Sequence, residues 1–238
     1  MKMERRQSSA LYVVEGPRKL QTYLKKIIMN KKFILVSFPK SGRTWVRVML
    51  DKTKGKGLYT FTHDQRYHDL PMLYLVRCPL DTVVSYYHQR VYRQYDKTAK
   101  KQTIDEFCID WIDKIIKHHF FFLENKKENT MVIKYEDLIA DTYSVMYEVL
   151  KHYDISTKGL EKAIEYGSYD NMKTLHLDRN NSKGYYLRHK NSKDPNAMKV
   201  RKGKIGTHRE ELQHETIIQL KAILNNCNYY NRISTDNK

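Results

Sequence analysis

Phe33-Ile-Leu-Val-Ser-Phe-Pro-Lys-Ser-Gly-Arg-Thr-Trp-Val-Arg-Val-Met-Leu50 joins an apolar run to a glycine turn and a helical stretch. The first six residues are an apolar run, short enough for a strand buried on both faces. Pro39 stops that run, Gly42 supplies a turn, and Thr44–Leu50 reads as a helix. A strand, a glycine turn and a helix start in this order present backbone N–H groups and the positive end of a helix dipole to an anion. Gly42 lets the backbone come close to such an anion, Lys40 adds a mobile cation, and Thr44 adds a hydroxyl.

Downstream, Leu73-Tyr-Leu-Val76 reads as a second buried strand ending at Arg77. Pro79 and Asp81 then open a helix through about Arg93, with Pro in the first turn and an acid to meet the dipole. Thr103-Ile-Asp-Glu106 is a capping box, and Ile104, Phe107, Cys108, Trp111, Ile112, Ile115 and Ile116 repeat behind it at helical spacing. Met131-Val-Ile133 is a third short strand. Val145, Met146, Val149 and Leu150 mark another helix, Leu160–Glu165 a short one, and Glu215–Asn225 the last. Residues 1–30 form a basic lead-in with a short helix near Leu20–Ile28, and the polar stretch 174–200 reads as a mobile loop or lid. Alternating strands and helices predict one α/β domain over 1–238: three layers, with a central parallel sheet flanked by helices and ligands at the strand C-terminal ends.

The charge balance, 44 − 27 = +17, favours anionic partners such as a multiply charged nucleotide, although solvated lysines alone would produce the same sum. No stretch approaches the ~20 apolar residues of a membrane span, and no signal peptide is visible, so a cytoplasmic protein is expected. Cys78, Cys108 and Cys227 are odd in number and far apart, which suits reduced thiols rather than zinc ligands or a disulfide framework.

Set against G-x-x-x-x-G-K-[ST], the first segment keeps Gly42 and Thr44, while Ser37 replaces the first glycine and Arg43 the lysine. It is a relative of the P-loop without a proper Walker A. The wider stretch Phe38-Pro-Lys-Ser-Gly-Arg-Thr-Trp45 resembles the 5′-phosphosulfate loop of the sulfotransferase family. That resemblance implies a P-loop-like fold in which Lys40, Ser41, Gly42, Arg43 and Thr44 cradle the 5′-phosphosulfate and Trp45 stacks on adenine. Cytosolic animal members usually carry Thr where this chain has Arg43; Arg fits bacterial-type members.

Arg77-Cys-Pro-Leu-Asp-Thr-Val-Val-Ser-Tyr-Tyr87 is similar to the family's 3′-phosphate motif, implying that Arg77 and Ser85 meet that phosphate. Taken alone, this stretch favours Arg77 paired with a carboxylate and Ser85 as an incidental helix residue; the first loop in the same chain shifts the reading to a phosphate. Arg201-Lys-Gly-Lys-Ile-Gly206 resembles the segment that closes over the 3′-phosphate through Arg201, Lys202 and Gly203, although Thr207-His208 stands where animal enzymes usually have Asp-Trp. Tyr135 and the pair Ser168-Tyr169 resemble adenine contacts, or are core aromatics.

The resemblance implies sulfuryl transfer from 3′-phosphoadenosine-5′-phosphosulfate (PAPS), leaving adenosine 3′,5′-bisphosphate (PAP). The acceptor would be a small molecule or glycan bearing a hydroxyl or amine, and neither a metal nor a nucleic-acid partner is involved. Lys40 would be the cation at the leaving oxygen, with Ser85 beside it, and His63 in Thr62-His63-Asp64 the base, with His68 as the alternative. His88, His118, His119, His176 and His189 are the other histidines weighed for that role. A degenerate P-loop NTPase or small kinase is the rival reading, with Asp137 as its only candidate magnesium ligand; a basic nucleic-acid-binding protein is another. Residues 51–72, 93–102 and 174–200 are the expected acceptor loops. The family's Lys-x-x-x-Thr-Val-x-x-x-Glu dimer motif is absent.

Overall fold

The structure, a computed structural model, describes residues 31–66, 69–177 and 194–234. The lead-in, His68, His189 and most of the expected lid lie outside the described residues.

Four parallel strands form the sheet: β1 (Phe33–Ser37), β2 (Tyr59–Thr62), β3 (Met72–Val76) and β4 (Met131–Lys134), in the order β2-β1-β3-β4. β1 and β3 are buried throughout. Their residues alternate between two apolar layers, as a period of two requires. Phe33, Leu35, Leu73 and Leu75 face one layer; Ile34, Val36, Met72, Tyr74 and Val76 face the other.

The helices are α1 (Arg43–Lys52), α2 (Pro79–His88), α3 (Ile104–Glu124), α4 (Tyr135–Ala140), α5 (Thr142–His152), α6 (Leu160–Tyr166), α7 (Tyr169–Leu177), α8 (His208–Glu211), α9 (His214–Asn226) and α10 (Tyr229–Ser234). α1, α5 and α6 cover the first face through Val46, Met49, Leu50, Met146, Val149, Leu150 and Ala163. Phe122 and Leu123 of α3 cover the second. Beyond the sheet, α2, α3 and α9 build a further core from Val83, Val84, Phe107, Ile112, Ile115, Leu220 and Leu224. The α/β architecture with a central parallel sheet between helices is therefore present.

The Thr103 capping box forms with both of its bonds: Glu106 N donates to Thr103 Oγ1, and Thr103 N donates to Glu106. At three places the structure departs from the sequence expectation. β2 is an additional strand: Tyr-Thr-Phe-Thr lies at the sheet edge and buries Tyr59 while Phe61 stays exposed, so it carries no apolar run. The helix from Pro79 does not run regularly to Arg93; it ends at His88 and widens into a π-helical turn over Gln89–Arg93. Within the stretch 174–200 expected as a loop, α7 runs to Leu177 and Pro195–Ala197 is a 3₁₀ turn. The three cysteines are free thiols. No described helix is long and apolar enough to cross a membrane.

The topology places the site. From β1 the chain crosses to β2 on one side, then returns past β1 to β3 on the other. A crevice therefore opens between the C-terminal ends of β1 and β3, the usual ligand position in such sheets.

Candidate active site

The loop after β1 and the residue after β3 meet in that crevice. Gly42 caps α1 with φ 99°, a conformation that favours glycine, and a Cβ there would lie 2.5 Å from Tyr135 Cδ2. Lys40 is also left-handed, at φ 74°, which costs a non-glycine residue energy and recurs at binding sites. Arg77 is buried and joins the segments. Its Nη1 donates to the Lys40 carbonyl at 3.1 Å, its Nη2 to the Lys204 carbonyl at 3.1 Å, and its guanidinium stands 4.4 Å from the Tyr135 ring centroid. Trp45 meets Tyr135 edge-on at 5.8 Å.

The third segment folds over from the other side. Asp81, at the start of α2, accepts from Gly206 N at 2.6 Å, His208 N at 3.0 Å and His208 Nδ1 at 2.7 Å. Burial pushes the Asp81 carboxyl up, but the bonds from His208 and the Arg77 charge outweigh it and hold it below its ordinary value. Gly203, at φ 64°, lies so close to Tyr169 that a Cβ would be 2.4 Å from Cδ2, and Tyr169 Oη donates to the Arg201 carbonyl at 2.9 Å. Arg201 forms a two-pronged pair with Glu211, at 3.0 and 2.7 Å, and Lys202 bonds Glu210 and Glu211.

Together these elements enclose a cavity of about 400 Å³. Of the residues singled out in the sequence, Lys40, Gly42, Arg43, Thr44, Trp45, His63, Arg77, Ser85, Tyr135, Tyr169, Arg201, Lys202 and Gly203 line it. Ser41 does not; it is fully buried beneath the loop. Ser168 does not either; it is exposed at the start of α7. Sequence reasoning missed Arg47, Gln89, Arg93, Gln94, Lys199 and Thr207, which also line the wall. A signal for Arg47 was present: it follows Arg43 by four residues, one helical turn.

The described lining holds the cations Lys40, Arg43, Arg47, Arg77, Arg93, Lys199, Arg201 and Lys202, and no carboxylate. Burial, then the charges of Arg93, Arg77, Arg201 and Lys199, push the Lys40 ammonium down to about 7. Nε of Arg77, Nε of Arg201 and Nη1 of Arg43 are buried without a hydrogen-bond partner. Donors left in this way around a carboxylate-free cavity fit a multiply charged anion.

His63 stands at the end of β2. Its Nδ1–H donates to the Ser37 carbonyl at 2.6 Å, and its Nε2 accepts from Arg43 Nη2 at 2.6 Å. Behind it, His118 Nε2 donates to the His63 carbonyl at 3.3 Å and its Nδ1 accepts from Tyr74 Oη at 2.9 Å. His119 bonds Tyr229 Oη, and His88 bonds Glu211. None of these last three histidines lines the cavity. Asp137 is exposed on α4 and does not line it either.

The family model described as the sulfotransferase domain matches residues 58–229, a range that starts after the first loop. Among solved structures, mouse sulfotransferase SULT7A1 complexed with PAP is 18% identical, with a TM-score of 0.62 over 86% of this chain and 87% of that one. Retinol dehydratase in complex with androsterone and inactive cofactor PAP is 14% identical, with a TM-score of 0.56 over 87% of this chain and 85% of that one. At such identities the likeness speaks for the fold. No curated protein matches the sequence.

Proposed function

The chain belongs to the sulfotransferase domain family, and on that premise we propose that it transfers a sulfuryl group from PAPS to a hydroxyl or amine of an acceptor, without a metal. The observation that carries this reading is the meeting of three separate basic segments, after β1, after β3 and around Arg201, on one carboxylate-free cavity. A nucleotide with anionic groups at both its 5′ and 3′ ends is matched by that distribution. PAP in the solved relatives supports the same donor.

The donor supplies the sulfuryl group and a bisphosphate leaving group. The chain's own residues supply position and charge. The Ser37–Thr44 loop offers its amides, the Thr44 hydroxyl and the Lys40 ammonium to the 5′ end. Arg77 and Ser85 face the 3′ end, and Arg201, Lys202 and Gly203 cover it. Trp45 and Tyr135 form an aromatic wall for the base. His63, with its proton on Nδ1, keeps Nε2 as the basic atom that takes the acceptor's proton.

A P-loop NTPase would place a carboxylate for magnesium beside the phosphates. Asp137, its sequence candidate, is on the outer surface of α4.

The test is thermal. PAP at a hundredfold excess over its Kd is expected to stabilise the fold by ~2.7 kcal/mol, roughly 5–10 °C in Tm at this size; ATP with magnesium is expected to do much less. A shift with ATP and magnesium and none with PAP would return the chain to the NTPase reading.

A further inference from the structure

Arg201 faces the 3′ end of the proposed donor, yet it is paired with a carboxylate that stands outside the cavity. Glu211, the last residue of α8, accepts from Arg201 Nη1 at 3.0 Å and from Nη2 at 2.7 Å. Arg201 lines the cavity and Glu211 does not. Their side chains are 9% and 13% exposed, so solvent screens the pair little. A carboxylate held end-on by both Nη atoms uses one proton of each. It leaves the side-on fork of the guanidinium, Nε–H and the second Nη2–H, for another anion. Nε of Arg201 is buried and has no hydrogen-bond partner.

Glu211 is itself held. His88 Nε2 donates to its Oε2 at 2.6 Å, and Lys202 Nζ stands 3.0 Å from its Oε1. Burial pushes the Glu211 carboxyl up, but the bonds from His88, Arg201 and Lys202 outweigh it and hold the group well below its ordinary value, so it is ionised throughout the neutral range. The His88 ring stacks on Tyr92, with centroids 5.5 Å apart, and this fixes the direction of Nε2. His88 closes α2, where Asp81, Ser85 and His88 stand at i, i+4 and i+7 on one helix face. Asp81 holds the start of α8 through Gly206 and His208, Ser85 lines the cavity, and His88 holds the end of α8 through Glu211. Arg201 is therefore tethered to the same helix face that carries Ser85.

Such a tether opposes a real force. After burial, Arg93 and Arg77, the charge of Arg201 is a further cause that pushes the Lys40 ammonium down, so these cations feel one another across the cavity. A guanidinium with no carboxylate behind it would swing away from its like charges. From this geometry we propose that Glu211 is a positioning residue for donor selection: steadied by His88, it keeps the side-on fork of Arg201 turned to the 3′-phosphate and so sets the preference for 3′-phosphorylated nucleotides over those with a 3′-hydroxyl. This rests on the sulfotransferase reading and adds to it a residue that touches neither donor nor acceptor. The alternative has the opposite sign. A carboxylate that competed with the phosphate for Arg201 would, once its charge is removed, leave the nucleotide bound more tightly.

Titration calorimetry of the full chain with PAP and with adenosine 5′-phosphate, which lacks only the 3′-phosphate, reads this preference as the ratio of two affinities. Glu211→Gln keeps the shape and one acceptor oxygen but removes the charge. It is expected to lower PAP affinity at least ~10-fold while adenosine 5′-phosphate stays within ~3-fold of wild type. His88→Gln leaves the Arg201–Glu211 pair chemically intact and is expected to lower the same ratio ~3-fold; it decides the matter alone if Glu211→Gln yields no folded protein. In Arg201→Gln, where the fork is gone, adding Glu211→Gln is expected to change the ratio by less than ~2-fold. A weakened fold lowers both affinities together, so a ratio unchanged in both single variants overturns the proposal. Tighter PAP binding in Glu211→Gln overturns it too, as does a full further loss on the Arg201→Gln background. A wild type that binds PAP no better than adenosine 5′-phosphate is a different result, which removes the donor reading itself.

Discussion

Arg43 Nη2 stands 2.6 Å from His63 Nε2, while His63 Nδ1 stands 2.6 Å from the Ser37 carbonyl. One contact fixes the tautomer and the other caps the basic nitrogen with a cation. Burial, then Arg43, push the His63 imidazole down to about 4. The ring is therefore neutral across the whole neutral range, and Arg43 must share Nε2 with any proton donor that approaches it.

A base with its pKa near 4 gives a rate that rises with pH through about 4 and is flat near 6.5. Arg43→Thr removes the second-largest cause of the depression and leaves burial, so the inflection is expected to move up, toward the ~6.5 of a free imidazole. The pH profile of kcat and the titration of the His63 ring by NMR both read this. The same sign governs folding. Between ~6.5 and about 4 the unfolded chain takes up a proton at this position that the native chain refuses, so stability falls as pH falls through that window. An inflection that stays in place in Arg43→Thr would remove Arg43 from control of the base.

The segments after β1 and β3 were legible because each follows a strand buried on both faces. Phe33–Ser37 and Met72–Val76 are unbroken apolar runs, so their C-terminal ends, and the residues just beyond them, could be placed from composition. The capping box of α3 is likewise a local pattern. β2 was not legible, since an edge strand needs one apolar face only and Tyr59 alone provides it. Yet β2 is what carries His63 to the site. Arg93 and Lys199 fall within the expected acceptor loops 93–102 and 174–200 but were not singled out there, and Arg47 was missed: each is an ordinary surface residue type in its own segment, and only the crossing of α1, the π-helical turn and the stretch before Arg201 brings them to one wall. Ser168 was expected beside Tyr169 because the pair resembles an adenine contact; in the structure Tyr169 lines the cavity while Ser168 is exposed at the start of α7.

Gly42 and Gly203 both hold positive φ and both press an aromatic ring, whereas a Cβ added at Gly57, at φ 81°, would meet nothing within 4 Å. Gly57→Ala is therefore expected to cost only the backbone term, ~1 kcal/mol. Gly42→Ala adds the collision with Tyr135 and is expected to cost ~2–4 kcal/mol and to weaken PAP binding. Gly203→Ala meets the Tyr169 ring, which is at the surface and held by its bond to the Arg201 carbonyl, so its effect is expected on PAP affinity more than on Tm. Urea midpoints and PAP titrations of the three variants separate these terms; equal losses in Gly42→Ala and Gly57→Ala would show that the Tyr135 contact contributes nothing.

Asp81 ties the Gly206–His208 segment to α2 through four bonds to one carboxylate. Asp81→Asn keeps the shape but removes the charge and one acceptor oxygen, with an expected loss of ~1.5–3 kcal/mol. Because the native carboxyl lies below its unfolded value, its contribution is present above ~3.9 and is lost as pH falls through the native value. Acid unfolding followed by circular dichroism should therefore begin at higher pH in wild type than a charge-free anchor would allow, and the Asn variant should show a shallower acid limb. Identical acid limbs would mean that the anchor carries no charge-dependent stability.

The Lys40 ammonium lies at about 7 because it is buried among Arg93, Arg77, Arg201 and Lys199. At pH 8 the larger share of free protein therefore holds Lys40 neutral. An anion placed beside it favours the charged form, so PAP binding at pH 8 is expected to take up close to one proton, and at pH 6 almost none. PAP affinity then falls as pH rises above about 7, approaching tenfold per pH unit. Calorimetry at each pH, in buffers of different ionisation enthalpy, counts the proton directly. In the free protein the sign is opposite: the native chain binds fewer protons than the unfolded one between about 7 and 10.5, so ligand-free stability rises with pH through that window. Lys40→Gln is expected to abolish the uptake and to lower turnover far more than PAP affinity, because a charge facing the leaving oxygen matters most as that oxygen becomes negative. Proton uptake that persists undiminished in Lys40→Gln would assign the titration to another group in the cavity, and full turnover in the same variant would remove Lys40 from the leaving-group role.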